Sequence, residues 1–280
     1  MSEITPALVG KLREMTNAGL MDCKNALVDA KGNLDGAVDI LRKKGAASAA
    51  KKAGRDAKEG LIAQAVTANG KVGVLVEVNC ETDFVARNDS FKAFCSDLAN
   101  KIAASPTANF EPDRVAAVAR IGENIQIRRH ERLEVGGSGL VAAYIHTGGK
   151  VGVLVEVGAS RDITVQQEIF KQLVRDITLQ IAAASPVSVS RADVPAVLIE
   201  KEKEIAAQSD ALKNKPPQAI AKIIEGKVNK FFETACLLEQ GFVKNPELKV
   251  EAHIGAVGKQ LSDTVTVRRF RRFQIGEALA

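Results

Sequence analysis

Gly70-Lys71-Val72-Gly73-Val74-Leu75-Val76-Glu77-Val78 recurs letter for letter at residues 149–157. Such an identity inside one chain marks an internal duplication, and the fold is read outward from it. Each copy is a β-branched run too short for a buried helix and preceded by a glycine turn, so it reads as a strand. Leu61 and Val66 match Leu140 and Ile145 in a preceding strand. The stripe Phe91, Phe94, Cys95, Leu98 and Ile102 returns at the same spacing as Phe170, Leu173, Val174, Ile177 and Ile181, the signature of two amphipathic helices. Each copy then closes in an alternating arginine-rich strand: Ile125, Ile127, Arg128, Arg129, Arg132 and Leu133, then Val265, Val267, Arg268, Arg269, Arg272 and Phe273. Two related core subdomains follow, 61–139 and 140–280, each a small sheet with a helix on one face. The fold class is α+β.

Between the first repeat and its helix, which reads as 89–104, lies Cys80-Glu81-Thr82-Asp83-Phe84-Val85-Ala86-Arg87-Asn88. Phe84 fits neither the strand pattern nor the helical stripe. A large aromatic in a polar loop, beside a carboxylate that is costly to bury unpaired, has two readings. It folds back as a lid over its own core, or it inserts into another molecule. The duplication supplies a control: Thr82-Asp83-Phe84-Val85 aligns with Arg161-Asp162-Ile163-Thr164, so the scaffold repeats while the aromatic does not. The hairpin tips differ too. Tyr144-Ile145-His146-Thr147-Gly148 replaces Ala65-Val66-Thr67-Ala68-Asn69, which makes His146 a contact candidate, although a lone turn histidine is usually just solvated.

Residues 1–45 read as three short helices forming a small N-terminal module. Thr5-Pro6 opens the first, 16–19 breaks it, Lys31-Gly32 ends the second, Asn33 caps the third and Gly45 closes it. Leu20 and Met21 stand in the turn between the first two helices, where they either cap a marginal core or dock a partner. Residues 46–60, with Lys51, Lys52, Arg55 and Lys58, read as a basic, helical linker. An insertion at about 188–261 carries Val194, Leu198, Ile205 and Leu212, then Lys215-Pro216-Pro217, then Ile220, Ile223, Ile224, Phe231 and Leu238. Two apolar stripes joined by a proline turn read as an antiparallel helical hairpin, an arm suited to docking or to pairing two copies in a homodimer.

Composition narrows the function classes. In 280 residues, 46% hydrophobic, there is enough apolar material for a sizeable core. No apolar run approaches the ~18 residues of a membrane helix, the first residues lack a leader pattern, and no membrane contact is expected. Cys23, Cys80, Cys95 and Cys236 form no C-x-x-C; reduced thiols and a cytoplasmic location fit. A net charge of +5 permits contact with nucleic acid or an acidic partner, but the chain has no Trp and one Tyr, a poor stacking platform. Neither a phosphate-cradling glycine loop nor a hydrolase elbow or zinc motif is present, and the three histidines are not spaced as ligands, so no cofactor or metal is expected. Two alternatives stay open: a basic RNA-binding protein using the arginine strands, and a thiol enzyme built on Cys80 beside Glu81 and Asp83.

Thr82-Asp83-Phe84-Val85-Ala86-Arg87-Asn88 in this setting resembles the bacterial translation elongation factor Ts family. The likeness runs through Leu12-Arg13-Glu14-Met15-Thr16-Asn17-Ala18-Gly19-Leu20-Met21-Asp22-Cys23-Lys24, similar to that family's ubiquitin-associated-type module, and through Ile121-Gly122-Glu123-Asn124-Ile125 and Glu225-Gly226-Lys227-Val228-Asn229-Lys230-Phe231-Phe232. Leu20 stands where Met is common, and the hairpin is trimmed. The resemblance implies a guanine-nucleotide exchange factor, not an enzyme, whose partner is elongation factor Tu in its GDP-bound and nucleotide-free forms, with no direct nucleic acid. It implies that Asp83 and Phe84 wedge into the partner near its magnesium, shaped by Thr82 and Val85. Leu20 and Met21 would dock the N-terminal module, and His146 would reach the partner from the second hairpin tip.

Overall fold

The computed structural model describes residues 4–278 apart from 17, 210, 211, 213 and 214. The chain opens with α1 (Pro6–Thr16), α2 (Leu20–Asp29) and α3 (Leu34–Lys52). Its first half continues through β1 (Glu59–Val66), β2 (Val72–Cys80), α4 (Asp83–Arg87), α5 (Asp89–Ala104), α6 (Glu111–Ile121) and β3 (Gln126–Glu134). The second half repeats the plan with β4 (Gly139–Ile145), β5 (Val151–Ala159), α7 (Asp162–Gln166) and α8 (Glu168–Ala184). After α8 come α9 (Ala196–Ala207), α10 (Pro217–Ala235), the short pair β6 (Gly241–Phe242) and β7 (Asn245–Lys249), then α11 (Val250–Leu261) and β8 (Val265–Gln274).

Each half holds a three-stranded antiparallel sheet, β1-β2-β3 or β4-β5-β8, with the repeated strand central. The duplication extends to an irregularity: each arginine strand carries one extra residue, Arg128 or Arg268, bulged against the central strand where Glu77 or Glu156 is followed by valine. One face of each sheet lies under its own helix. Val74, Val76 and Val78 pack with Phe91, Leu98 and Ile102, while Val153, Val155 and Val157 pack with Phe170, Leu173 and Ile177.

The other two faces meet each other. Ile62, Leu75 and Leu133 from one half share a core with Val141, Leu154 and Phe273 from the other. The result is a helix–sheet–sheet–helix stack, and burial of both faces explains why the repeat is an unbroken apolar run rather than an alternating one. Gly73 is the point of closest approach: a Cβ there would stand 2.3 Å from Val141 Cγ1 and 2.8 Å from Leu154 Cδ1. Its twin Gly152 would meet Ile62 Cγ2 at 2.6 Å and Leu75 Cδ2 at 2.9 Å. Lys71 Nζ donates to the carbonyls of Gly137 and Gly139 at 3.1 and 3.3 Å, and Lys150 Nζ does the same to Gly60 at 3.3 Å in the opposite half. Each copy of the repeat thus packs against the other half of the core.

Several elements differ from the reading of the sequence. The third helix does not stop at Gly45 but runs to Lys52, so the first part of the expected linker continues it. Glycine costs about 1 kcal/mol within a helix, but here α3 rests on α6, where a Cβ on Gly45 would be 3.4 Å from Val115 and 3.6 Å from Ala119. Leu20 and Met21 are the first residues of α2 rather than a turn. The helix α9 begins at Ala196 and ends at Ala207, short of Leu212, which is itself buried. Two helices, α6 and α11, add to the elements expected from the sequence; each lies between the long helix and the last strand of its half, and α11 seals the second core with Val250, Ile254 and Leu261.

Candidate functional site

At the end of β2 the chain turns sharply, and the residues after the strand form a pedestal. Thr82 caps α4, its hydroxyl accepting from Val85 N–H at 3.3 Å, and Asn88 caps α5, its side chain accepting from Ser90 N–H at 2.8 Å. Two capped helices placed end to end fix the intervening backbone. Ala86 is buried and Val85 packs on the first core, so α4 is anchored by one side. The opposite side carries Phe84, whose side chain is 81% exposed. The ring is therefore no lid on its own subdomain. Asp83 stands next to it, half-exposed, in an ion pair of 2.9 Å with Arg87 one turn on.

Further groups lock the base of this loop. Glu123 from the α6–β3 connection accepts from the backbone N–H of Glu81 and Thr82 at 3.0 and 3.1 Å, and from the Thr82 hydroxyl at 2.6 Å. In return Glu81 accepts from Asn124 N–H at 2.6 Å, and Asn124 donates its side-chain amide to the Arg55 carbonyl at 2.8 Å. Cys80 donates to the Thr82 carbonyl at 3.2 Å. Burial, reinforced by the nearby negative charge of Glu123, pushes that thiol up to about 12. Nucleophilic cysteines need the opposite, so Cys80 is a structural residue.

The twin loop shows what is scaffold and what is not. Asp263 there accepts from Ser160 and Arg161 N–H, both at 3.2 Å, and from the Thr164 hydroxyl. Ile163 is exposed like Phe84, but Asp162 is tied down by the Ser138 hydroxyl at 2.8 Å. Leu20 and Met21 are 56% and 62% exposed, accompanied by exposed Met15 and Val28. They cap no core. His146 is exposed at the β4–β5 tip, within 3.0 Å of the Tyr144 hydroxyl. Structure thus assembles Thr82, Asp83, Phe84 and Val85 into one projection and leaves Leu20, Met21 and His146 on separate elements.

The arginine strands are used internally. Fully buried Glu77 accepts from Arg128 and Arg129 at 2.8 and 2.7 Å, and Glu156 from Arg268 and Arg269 at 2.9 and 2.7 Å. Four of the guanidiniums that might have met phosphate are engaged with the protein's own carboxylates. Among the described residues, no cluster of three His, Cys, Asp or Glu side chains is arranged to hold a metal, and no helix is long and apolar enough to cross a membrane.

A family model described as Elongation factor TS matches residues 81–277, starting in the loop that carries Phe84. The chain belongs to the elongation factor Ts family. Elongation factor Ts of Trichlorobacter lovleyi is 45% identical, covering 99% of this chain and 94% of its own. That of Bdellovibrio bacteriovorus is 42% identical with the same coverage, and that of Nostoc punctiforme 40% identical over 100% and 94%. The likeness therefore includes the N-terminal module with Leu20 and Met21, outside the family-model match. Nothing in the local pattern around Glu123 marks it as a support for the loop. The signal was present in the position of Asp263, which falls just before the second arginine strand as Glu123 falls before the first.

Proposed function

We propose that this elongation factor Ts relative is a guanine-nucleotide exchange factor for elongation factor Tu, and that Asp83 and Phe84, shaped by Thr82 and Val85, form the wedge that opens the partner's nucleotide site. The exposure of Phe84 on a rigidly capped helix is the observation that carries this reading. An aromatic left in water in the free protein is energetically useful only once something covers it. Leu20 and Met21 dock the N-terminal module, and His146 makes a second contact from the β4–β5 tip. The wedge repacks helices beside bound Mg²⁺. Displacing that cation removes a large favourable interaction with the phosphates of GDP, so release accelerates without any bond being made or broken. Coupling is reciprocal: a factor that weakens nucleotide binding is itself weakened by nucleotide, so incoming GTP expels it.

The test is release of labelled GDP from purified elongation factor Tu. Wild type should speed release. Phe84→Ala should abolish most of the acceleration while shifting unfolding by no more than about 0.5 kcal/mol, as expected of an exposed side chain. Phe91→Ala, from the fully buried α5 stripe, should cost about 3–5 kcal/mol. Undiminished exchange by Phe84→Ala would remove the wedge from the mechanism.

A further inference from the structure

We propose that Glu123 is the positioning residue of the wedge: its carboxylate sets the angle and stiffness with which α4 presents Asp83 and Phe84. This rests on the exchange reading above and deepens it. The geometry is specific. Both carboxylate oxygens are used, Oε2 by the amides of Glu81 and Thr82 and Oε1 by the Thr82 hydroxyl. Because a hydroxyl has one proton, giving it to Glu123 turns an oxygen lone pair toward Val85 N–H, the contact that caps α4. Glu123 thus acts on the wedge through Thr82.

Stiffness matters because α4 spans only Asp83–Arg87. A helix that short has no stability of its own. A loose loop would lose ordering entropy on docking and yield when pressed against packed helices, so less of the binding energy would reach the metal site. Charge-assisted hydrogen bonds to two successive backbone amides are among the strongest restraints available to a surface loop. The second half shows the device being reused. Asp263 grips Ser160, Arg161 and Thr164 in the same way, with the hydroxyl supplied from 164 because Arg161 stands where Thr82 stands in the first half. There the loop carries Ile163. The clasp belongs to the duplicated scaffold, and the aromatic it aims belongs to the first copy alone.

Two measurements test this. In the free protein, amide hydrogen exchange across 82–88 should quicken about tenfold or more in Glu123→Ala, with α5 unaffected, since loss of a local restraint opens only its own segment. With elongation factor Tu, Glu123→Ala should lower the maximal rate of GDP release about tenfold, as expected when charged hydrogen bonds are removed. The concentration giving half the effect should hardly change, because Leu20, Met21 and His146 still dock. In a Phe84→Ala background the same substitution should cost much less, the remainder being what Asp83 contributes. Glu123→Gln, which keeps the shape and removes the charge, should show a weaker version of every effect and serves if the alanine variant does not fold. Unchanged amide protection, or an equal loss with and without Phe84, would overturn the assignment of Glu123. A wild-type protein that fails to speed GDP release would overturn the exchange reading while the amide measurement still decides the clasp.

Discussion

Arg129 Nε donates to Glu77 Oε2 at 2.7 Å, and Glu77 has no exposed surface. Arg128 takes the other oxygen, while Arg129 also reaches Glu277, near the C-terminal end of the other half. The twin Glu156 is held by Arg268 and Arg269, which extend to the carbonyls of Ser138 and Glu134. Burial pushes the Glu156 carboxyl up, but the two arginines outweigh it and leave it below the usual range. These pairs therefore join strand to strand and half to half.

Removing the buried Glu77 carboxylate leaves Arg128 without its counter-ion and Arg129 with Glu277 alone. Glu77→Gln should destabilise the core by about 2–4 kcal/mol, read from the urea unfolding midpoint. A loss under about 0.5 kcal/mol would mean that the arginines are satisfied by water alone.

Gly73→Ala tests the contact between the sheets. The added methyl group falls inside the radii of Val141 and Leu154, so the sheets must separate or the side chains leave their rotamers. The expected cost is about 1–3 kcal/mol, with a similar loss for Gly152→Ala. An unaltered unfolding midpoint in both would show that the inter-sheet core is loosely packed.

Asp263 gives the pH dependence a sign. The hydrogen bond from the Thr164 hydroxyl, helped by the amides of Thr264 and Ser160, lowers its carboxyl from 3.8 to about 2. A carboxyl whose folded value lies below its unfolded value contributes stability that is fully present above the unfolded value and lost as pH falls through the folded one. Asp263→Asn should therefore be less stable than wild type at pH 7. The gap should close as pH falls from 3.8 towards 2, as followed by circular dichroism. A gap independent of pH would assign the effect to shape rather than charge.

Much of the architecture was legible because it is periodic. Phe91, Leu98 and Ile102 had to face one way on any helix, and all three are buried. The third helix runs on through Gly45 because α6 packs against it there, with Val115 and Ala119 close to the glycine. The helix α6 is hard to read because its buried residues, Ala117 and Val118, are small, while Val115 and Ile121 are only partly covered. At the candidate site, Phe84 announced itself by fitting no pattern, whereas Glu123 could not: a glutamate 41 residues after Thr82 becomes its partner only when α6 folds back.

Residue order alone determined the duplication, the strands and long helices, and the aromatic that one copy has and the other lacks, because hydrophobic spacing is a property of neighbours along the chain. Tertiary structure alone decided that Phe84 points into solvent, that the arginines face inward to Glu77 and Glu156, and that Glu123 clasps the loop. Each of those outcomes depends on groups far apart in sequence, whose meeting is set by how two sheets and their helices close-pack.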